Sequence, residues 1–427
     1  MFASINGWAN GIVVLKEGLP LSKQLIKPGT RYEIRFNFEL REDTIILPHD
    51  VILDFEGGSI TGGTLVFNGT KIANPKFVNT HFKGSVTNDF FDISDYGAVP
   101  GVKKDWAILI NELIALENNN KSSRNAKTIH IPNGTFYIKS PIVLWAGWEA
   151  PITLEGNGNT STICQLSDNE YILKVYECHY VKNLRLSYGK RQGLTNNRSV
   201  AVACQRAVFC LFENLTICKA YNAFGYIRLS DAKKDKLTNI NEQCYVSCSF
   251  RNIRIYEFSN YAFDFEKERD GGDSGSVYDN IYVNCCDWLC ATKDNISKGV
   301  IRGQNTVMVF TQLNVEGPNF SNSLIELNGM SRISVDLLHV EGVKGIKSIV
   351  KVRTQSLAMF NIIDIQHCVF SDAQYIAFAI YESGLVSVKM LALRQDCTRT
   401  RSCVKATITN NIERLNVEQK LDAPKLL

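Results

Sequence analysis

The 427-residue chain contains little of what marks membrane, nucleic-acid-binding or disulfide-stapled proteins. No window reaches 18 consecutive apolar residues, so no segment reads as a membrane-spanning helix and no membrane insertion is expected. Its first residues, MFASINGWANGIVVLKEG, lack a basic leader followed by a long apolar run and a small-residue cleavage site, so export by the usual leader is not expected. Charge of one sign is also missing. The 47 basic and 43 acidic residues are dispersed to a net charge of +4 with no polybasic run, which argues against nucleic acid as a partner. No Gly-x-Ser-x-Gly turn is present and no histidine is tied by spacing to a serine or cysteine, which disfavours a nucleophilic hydrolase.

Thirteen cysteines are an odd number. Cys204, Cys210, Cys218, Cys248 and Cys368 fall inside strand-like segments, where a free thiol acts as a small buried hydrophobe that cytoplasmic synthesis would keep reduced. The pairs Cys244-x3-Cys248 and Cys286-x3-Cys290 have no second pair at ligand spacing. Strand geometry also holds their sulfurs too far apart for one tetrahedral ion. No metal and no cofactor is assigned.

What the sequence does contain is a repeat. Residues 323–341 match residues 348–366 apolar position for apolar position at an offset of 25. The last apolar residue of each unit gives the anchors Leu186, Ile217, Ile255, Val283, Val315, Val340, Ile365, Leu393 and Val417. Units of this length bury their apolar side only against their neighbours. Within each unit the apolar residues alternate, as in Ile333 and Val335, then Leu338 and Val340, which is strand patterning. The reading is an all-β, right-handed parallel β-helix whose coils rise about 4.8 Å each. Asn183, Asn214, Asn252 and Asn280 each stand three residues before an anchor. Asn tolerates left-handed backbone angles, and its amide can bond the next Asn along, so a structural ladder is expected.

Ahead of the solenoid, residues 1–30 show weak periodicity and suit either a docking segment or an irregular cap. Residues 31–90 read as a small β module of short strands with glycine turns, and residues 91–427 as the β-helix. A capping helix is expected at about 104–119, with Trp106, Leu109, Ile110, Leu113 and Ile114 forming one apolar stripe. Long units place loops out of the stack at 191–198, 231–243 and 266–276.

Tyr96-Gly-Ala-Val99, Ile129-His-Ile-Pro-Asn-Gly-Thr-Phe-Tyr137 and Leu154-Glu-Gly-Asn-Gly158 resemble the opening of the pectate-lyase-like β-helix superfamily, which includes bacteriophage tailspikes. The turn that is glycine- and aspartate-rich in that family reads Pro100-Gly-Val-Lys-Lys-Asp105 here. The Asp54-Phe-Glu-Gly-Gly-Ser-Ile-Thr-Gly-Gly63 segment is similar to leaders of tail proteins from phages of Bacteroides-type bacteria. The resemblance implies a homotrimeric virion protein that binds bacterial surface polysaccharide and is attached to other phage tail proteins through its N-terminal segment. Depolymerisation by glycoside hydrolysis is one implied activity. A purely structural or receptor-binding tail protein, and a monomeric bacterial polysaccharide lyase or hydrolase, are the alternatives.

If the anchors point inward, three successive coils present Asn314 and Glu316, His339 and Glu341, Asp364 and Gln366 outward on one strip. Vertical neighbours such as Glu316 and Glu341 then lie about 5 Å apart, and diagonal ones such as Glu341 and Asp364 about 8 Å. Carboxylate pairs of about 5 Å, or roughly 6.5–9.5 Å, are the two geometries that cut glycosidic bonds. Glu341, Glu316, Asp364 and His339 are therefore the catalytic candidates. Asn314, Gln366, Tyr256, Tyr282 and Arg394 are the candidates for holding sugar. Leu415-Asn-Val-Glu418 repeats the pattern of Leu313-Asn-Val-Glu316, and glycine follows both strip glutamates, so catalysis, sugar binding and ordinary solvated surface all stay open. Asp264, Glu266, Glu268, Asp270 and Asp273 read as an exposed charged loop in preference to a calcium site. The remaining histidines, His49, His81, His130, His179 and His367, read as isolated. Trp145 and Trp148 suit a sugar platform, although burial under the helix is the commoner outcome.

Overall fold

Period-2 runs of Val, Ile, Leu and Phe become strands that pair in parallel, each with the equivalent strand of the next coil. The computed structural model describes residues 11–119, 126–145, 150–233, 242–268, 275–286, 296–370, 376–394, 407–409 and 411–422. The chain forms two units, Met1–Ile138 with Ala146–Thr162, and Lys139–Trp145 with Ile163–Leu427.

In the second unit one sheet stacks Tyr180–Tyr188, Leu211–Cys218, Ser249–Tyr256, Ser276–Asn284, Val307–Glu316, Arg332–Glu341, Leu357–Gln366, Leu385–Arg394 and Leu415–Asp422 in chain order. A second sheet stacks one strand from each coil as well, from Ile142–Leu144 through Tyr261–Phe265, Gly299–Gln304, Ile325–Asn328 and Val350–Val352 to Thr407–Thr409. This is the parallel β-helix expected from the repeat. Its interior is filled by vertical rows. Phe212, Phe250, Tyr278 and Phe310 stack at centroid separations of 5.0, 4.3 and 4.4 Å, and such pairs add about 0.5–1.5 kcal/mol each beyond burial.

Register follows the anchors coil by coil: Leu186 pairs Ile217, then Ile255, Val283, Val315, Val340, Ile365 and Leu393. The final step differs. Val417 pairs Val388, and Leu393 pairs Asp422. Each long strand in this sheet carries two inward pairs, such as Met308 and Phe310, then Leu313 and Val315. The Leu-Asn-Val motif at 415–417 therefore fits either half, and it takes the first.

The asparagine ladder is present. Asn280 donates to Asn252, Asn252 to Asn214, and Asn214 to Asn183, at 2.8, 3.0 and 2.9 Å, and all four residues have φ between 52° and 57°. Among the described residues ten cysteines, including Cys204, Cys210, Cys218, Cys248 and Cys368, are buried and form no disulfide. The 191–198 loop lies back on the stack instead of projecting from it. The Arg191 guanidinium donates to the carbonyls of Glu257, Phe258 and Ile296 at 3.0, 2.7 and 2.8 Å.

In the first unit the same pairing mode appears earlier than the sequence pattern indicated. Ile12–Val14, Arg31–Ile34, Ile52–Phe55 and Ser59–Ala73 pair in parallel, so the segment read as featureless carries a strand, and a one-turn helix at Leu21–Gln24. Gly84 shows how tight these coils are: φ is +91°, and a Cβ there would lie 2.0 Å from the Phe67 carbonyl oxygen. The longer helix is Ala107–Ala115, shorter than expected. It buries Leu109, Ile110, Leu113 and Ile114 and packs on His81–Val86 and Lys127–Ile131. His81 and His130 are not isolated. His81 Nδ1 lies 2.7 Å from Glu112, and His130 Nδ1 lies 2.8 Å from Asp92.

Two outcomes test this packing. Asn252→Ala should lower unfolding free energy by about 1 kcal/mol more than Asn252→Gly, because both remove the amide bonds but only alanine is strained at this φ. Urea midpoints of the two variants measure the difference. Burial pulls the His179 imidazole from 6.5 down to about 4. Below pH 6.5 the unfolded chain takes up a proton that the folded chain refuses. Stability therefore drops by about 1.4 kcal/mol per pH unit as pH falls toward 4, and the term is absent above pH 6.5. His179→Gln should flatten that part of the stability profile relative to wild type.

Candidate functional site

The parallel register sorts outward residues of the first sheet into two adjacent columns. One runs Arg254, Tyr282, Asn314, His339, Asp364; the other runs Tyr256, Asn284, Glu316, Glu341, Gln366, Arg394. Every strip residue named from the sequence thus falls in one of these columns. The backbone of Arg394 pairs with that of Gln366, and its side chain lies outside the described residues.

Within the columns the side chains are joined. His339 Nδ1 stands 3.2 Å from Asp364 Oδ2, and its Nε2 stands 3.4 Å from Glu341 Oε2. Gln366 donates to the same Asp364 oxygen at 2.8 Å. Side-chain exposure falls from 46% at Glu341 to 21% at His339 and 12% at Asp364. Asp364 is thus the inner member of a carboxylate–imidazole–carboxylate row, placed to orient His339, and not a second solvent-facing carboxylate opposite Glu341. Glu316 accepts a bond of 2.7 Å from the Tyr282 hydroxyl, which itself accepts one from Asn284 at 3.2 Å. Burial, with Glu316 as acceptor, pushes the Tyr282 hydroxyl up despite the Asn284 amide, so it stays a donor at neutral pH. Tyr256 and Tyr282 lie 5.7 Å apart, ring to ring.

Gly317 and Gly342 have φ of +105° and +65°, so Glu-Gly does mark a turn. Glu418 is not a third member of the column. Its neighbour Val417 pairs with Val388, which puts Glu418 beside Lys389, five positions before Arg394. The sequence pattern that argued for ordinary surface therefore belongs to a different part of the strand.

A second polar surface was not read from the sequence. On the outward face of the second sheet Asp264, Arg302, Glu326 and Lys351 stack on successive coils and alternate in charge. Arg302 binds Asp264 through two bonds of 2.8 and 2.7 Å and Glu266 at 2.7 Å, with its guanidinium over the Tyr261 ring at 5.0 Å. Burial opposes the charge on Arg302, but Asp264 and then Glu266 more than offset it and raise the guanidinium above its ordinary value. Glu326 accepts from Tyr261 at 2.8 Å and from Lys351 at 3.3 Å. Beside this column is a half-open hollow of about 270 Å³, which Lys298, Asn322 and Arg353 also line. A neighbouring hollow of about 260 Å³ shares Arg302 and Glu266 with it. Spacings of 38, 24 and 25 residues carry this column, against 28, 32, 25, 25 and 28 for the strip. The acidic 264–268 segment drew attention, but its cationic partner lies a coil away. Asp270, Asp273 and Trp148 lie outside the described residues. Trp145 is exposed, not buried.

Residues 90–209 match the family described as rhamnogalacturonase A/epimerase, pectate lyase-like. The matched stretch covers 120 of the 427 residues. It runs from the Phe90–Asp92 strand to the end of Val200–Val208. No curated protein matches the chain significantly. Among solved structures it is similar to an Acinetobacter phage vB_ApiP_P1 tailspike protein at 11% identity and a TM-score of 0.46, over 78% of this chain and 59% of that one. It is also similar to the A-module of the Azotobacter vinelandii mannuronan C-5 epimerase AlgE6, at 10% identity and a TM-score of 0.36, over 78% of this chain and 99% of that one. The tailspike receptor binding domain of siphovirus 9NA matches at 10% identity and a TM-score of 0.33, over 96% of this chain and 76% of that one. The chain spans about six tenths of the length of the first solved structures it matches.

Proposed function

We propose that this protein is a phage tailspike-like carbohydrate-binding protein of the virion, and that its ligand is a bacterial surface polysaccharide. The observation that carries the reading is the pair of outward columns on the first sheet. They set aromatic, amide and carboxylate groups at a repeat of about 4.8 Å on successive coils, which suits an extended polymer presenting hydroxyls at regular intervals. The pectate-lyase-like stretch is consistent with it.

A catalytic role is supported by the row Asp364, His339, Glu341. Glu341 is the exposed end and serves as general acid, His339 shares its proton, and Asp364 fixes the imidazole by the bond to Nδ1. Glu316, directly over Glu341 in the register, is the second carboxylate of a glycoside hydrolase pair. Asn314, Gln366, Tyr256, Tyr282 and Arg394 then hold the sugar chain on either side. On this reading no metal or cofactor takes part.

The oligomer we propose is a homotrimer, supported by exposed Val309, Met359 and Ile362 on the outer face of the same sheet. Attachment to other tail proteins is assigned to the N-terminal segment, where the Ile12–Val14 strand pairs, among the described residues, only with Arg31–Ile34 and leaves Ile12 61% exposed. No helix among the described residues is long and apolar enough to cross a membrane.

Purified capsular and O-chain polysaccharides provide the test. At least one should bind and release new reducing ends, and Glu341→Gln should cut that release by about 100-fold or more while binding persists. Full turnover in the variant removes the catalytic assignment, and failure of every glycan to bind removes the carbohydrate reading. Sedimentation equilibrium should give three times the chain mass of 47.9 kDa, and a monomer would favour a free-standing enzyme instead.

A further inference from the structure

The hollow on the second sheet has a charge balance that the first-sheet strip lacks. Arg302 is saturated by Asp264 and Glu266, and Glu326 is taken up by Tyr261 and Lys351. Two cations remain. Neither Lys298 nor Arg353 has a carboxylate partner among the described residues, yet both line the same hollow. Apart from Gly303 and Leu327, its lining is charged, amide or hydroxyl-bearing. At about 270 Å³ it falls just below the range of about 300–1,000 Å³ typical of small-molecule sites, which is room for a single sugar ring and not for a length of chain.

We infer that this hollow is a subsite for one acidic sugar residue, with its carboxylate held between Lys298 and Arg353 and its hydroxyls on Asn322 and Glu326. A neutral sugar there would displace water from two cations and return no charge. A carboxylate makes charge-assisted bonds to both, and these are roughly twice as strong as neutral ones. The inference builds on the carbohydrate reading above and names the substrate class. It also gives Lys351 and Arg302 a positioning role: Lys351 holds Glu326 and Arg302 ties Asp264 and Glu266 into the wall, so Lys298 and Arg353, the latter over the Tyr381 ring at 5.4 Å, offer a carboxylate a preformed surface.

The test uses the full chain and an array of hexuronate-containing oligosaccharides, each beside its carboxyl-reduced counterpart, with inorganic phosphate as competitor. Wild type should prefer acidic over reduced sugars by about tenfold or more, in line with about 1.4 kcal/mol per decade. The double variant Lys298→Ala, Arg353→Ala should lose that preference while its melting temperature and its binding of reduced sugars stay at wild-type values. Equal binding of acidic and reduced forms by wild type overturns the subsite and leaves the carbohydrate reading intact, whereas no binding of any saccharide overturns both. An unchanged preference in the double variant refutes the assignment to these two residues. Competition by phosphate at the same concentration as the oligosaccharide shows a bare anion site, and that also overturns the proposal.

Discussion

Everything on the surface of this molecule depends on the register between successive coils. In a parallel pair a residue's vertical neighbour is fixed once one backbone pairing is fixed, and a slip of one residue would exchange the inward and outward sets. The apolar rows set that register from inside, because Phe212, Phe250, Tyr278 and Phe310 stack only if their coils are aligned. The outward columns inherit the alignment. Residues 24 to 38 apart in sequence become neighbours across one hydrogen-bonding distance, and side chains with no local relation come to share a hydrogen bond or an ion pair.

The same register explains what the sequence made legible. The anchors from Leu186 to Leu393 are strictly alternating and apolar, so their vertical pairing could be read by overlaying one unit on the next. So could the asparagine ladder, whose four members keep a fixed distance to their anchors. The final coil could not. An apolar-polar-apolar triplet fits either half of a bent strand, and Leu415 to Val417 occupies the half that pattern matching did not choose.

Other misses have a common cause, which is that alternation says which face a residue takes and not how deep it lies or what it touches. Asp364 is outward in pattern but nearly covered, because Gln366 and His339 close over it. The charged column of Asp264, Arg302, Glu326 and Lys351 was hidden because its spacings are uneven and its strands are only three to six residues long. The loop at 191–198 reads as a polar excursion, yet Arg191 finds three main-chain carbonyls that no sequence pattern announces.

Those three carbonyls lie 66, 67 and 105 residues downstream of Arg191. All three carbonyls are in place only after three more coils of chain have been laid on the stack, so the guanidinium acts as a late clasp. Interactions of that kind are absent while the nucleus is forming and mainly retard the reverse process. Arg191 thus contributes to how long the folded chain survives, more than to how quickly it forms.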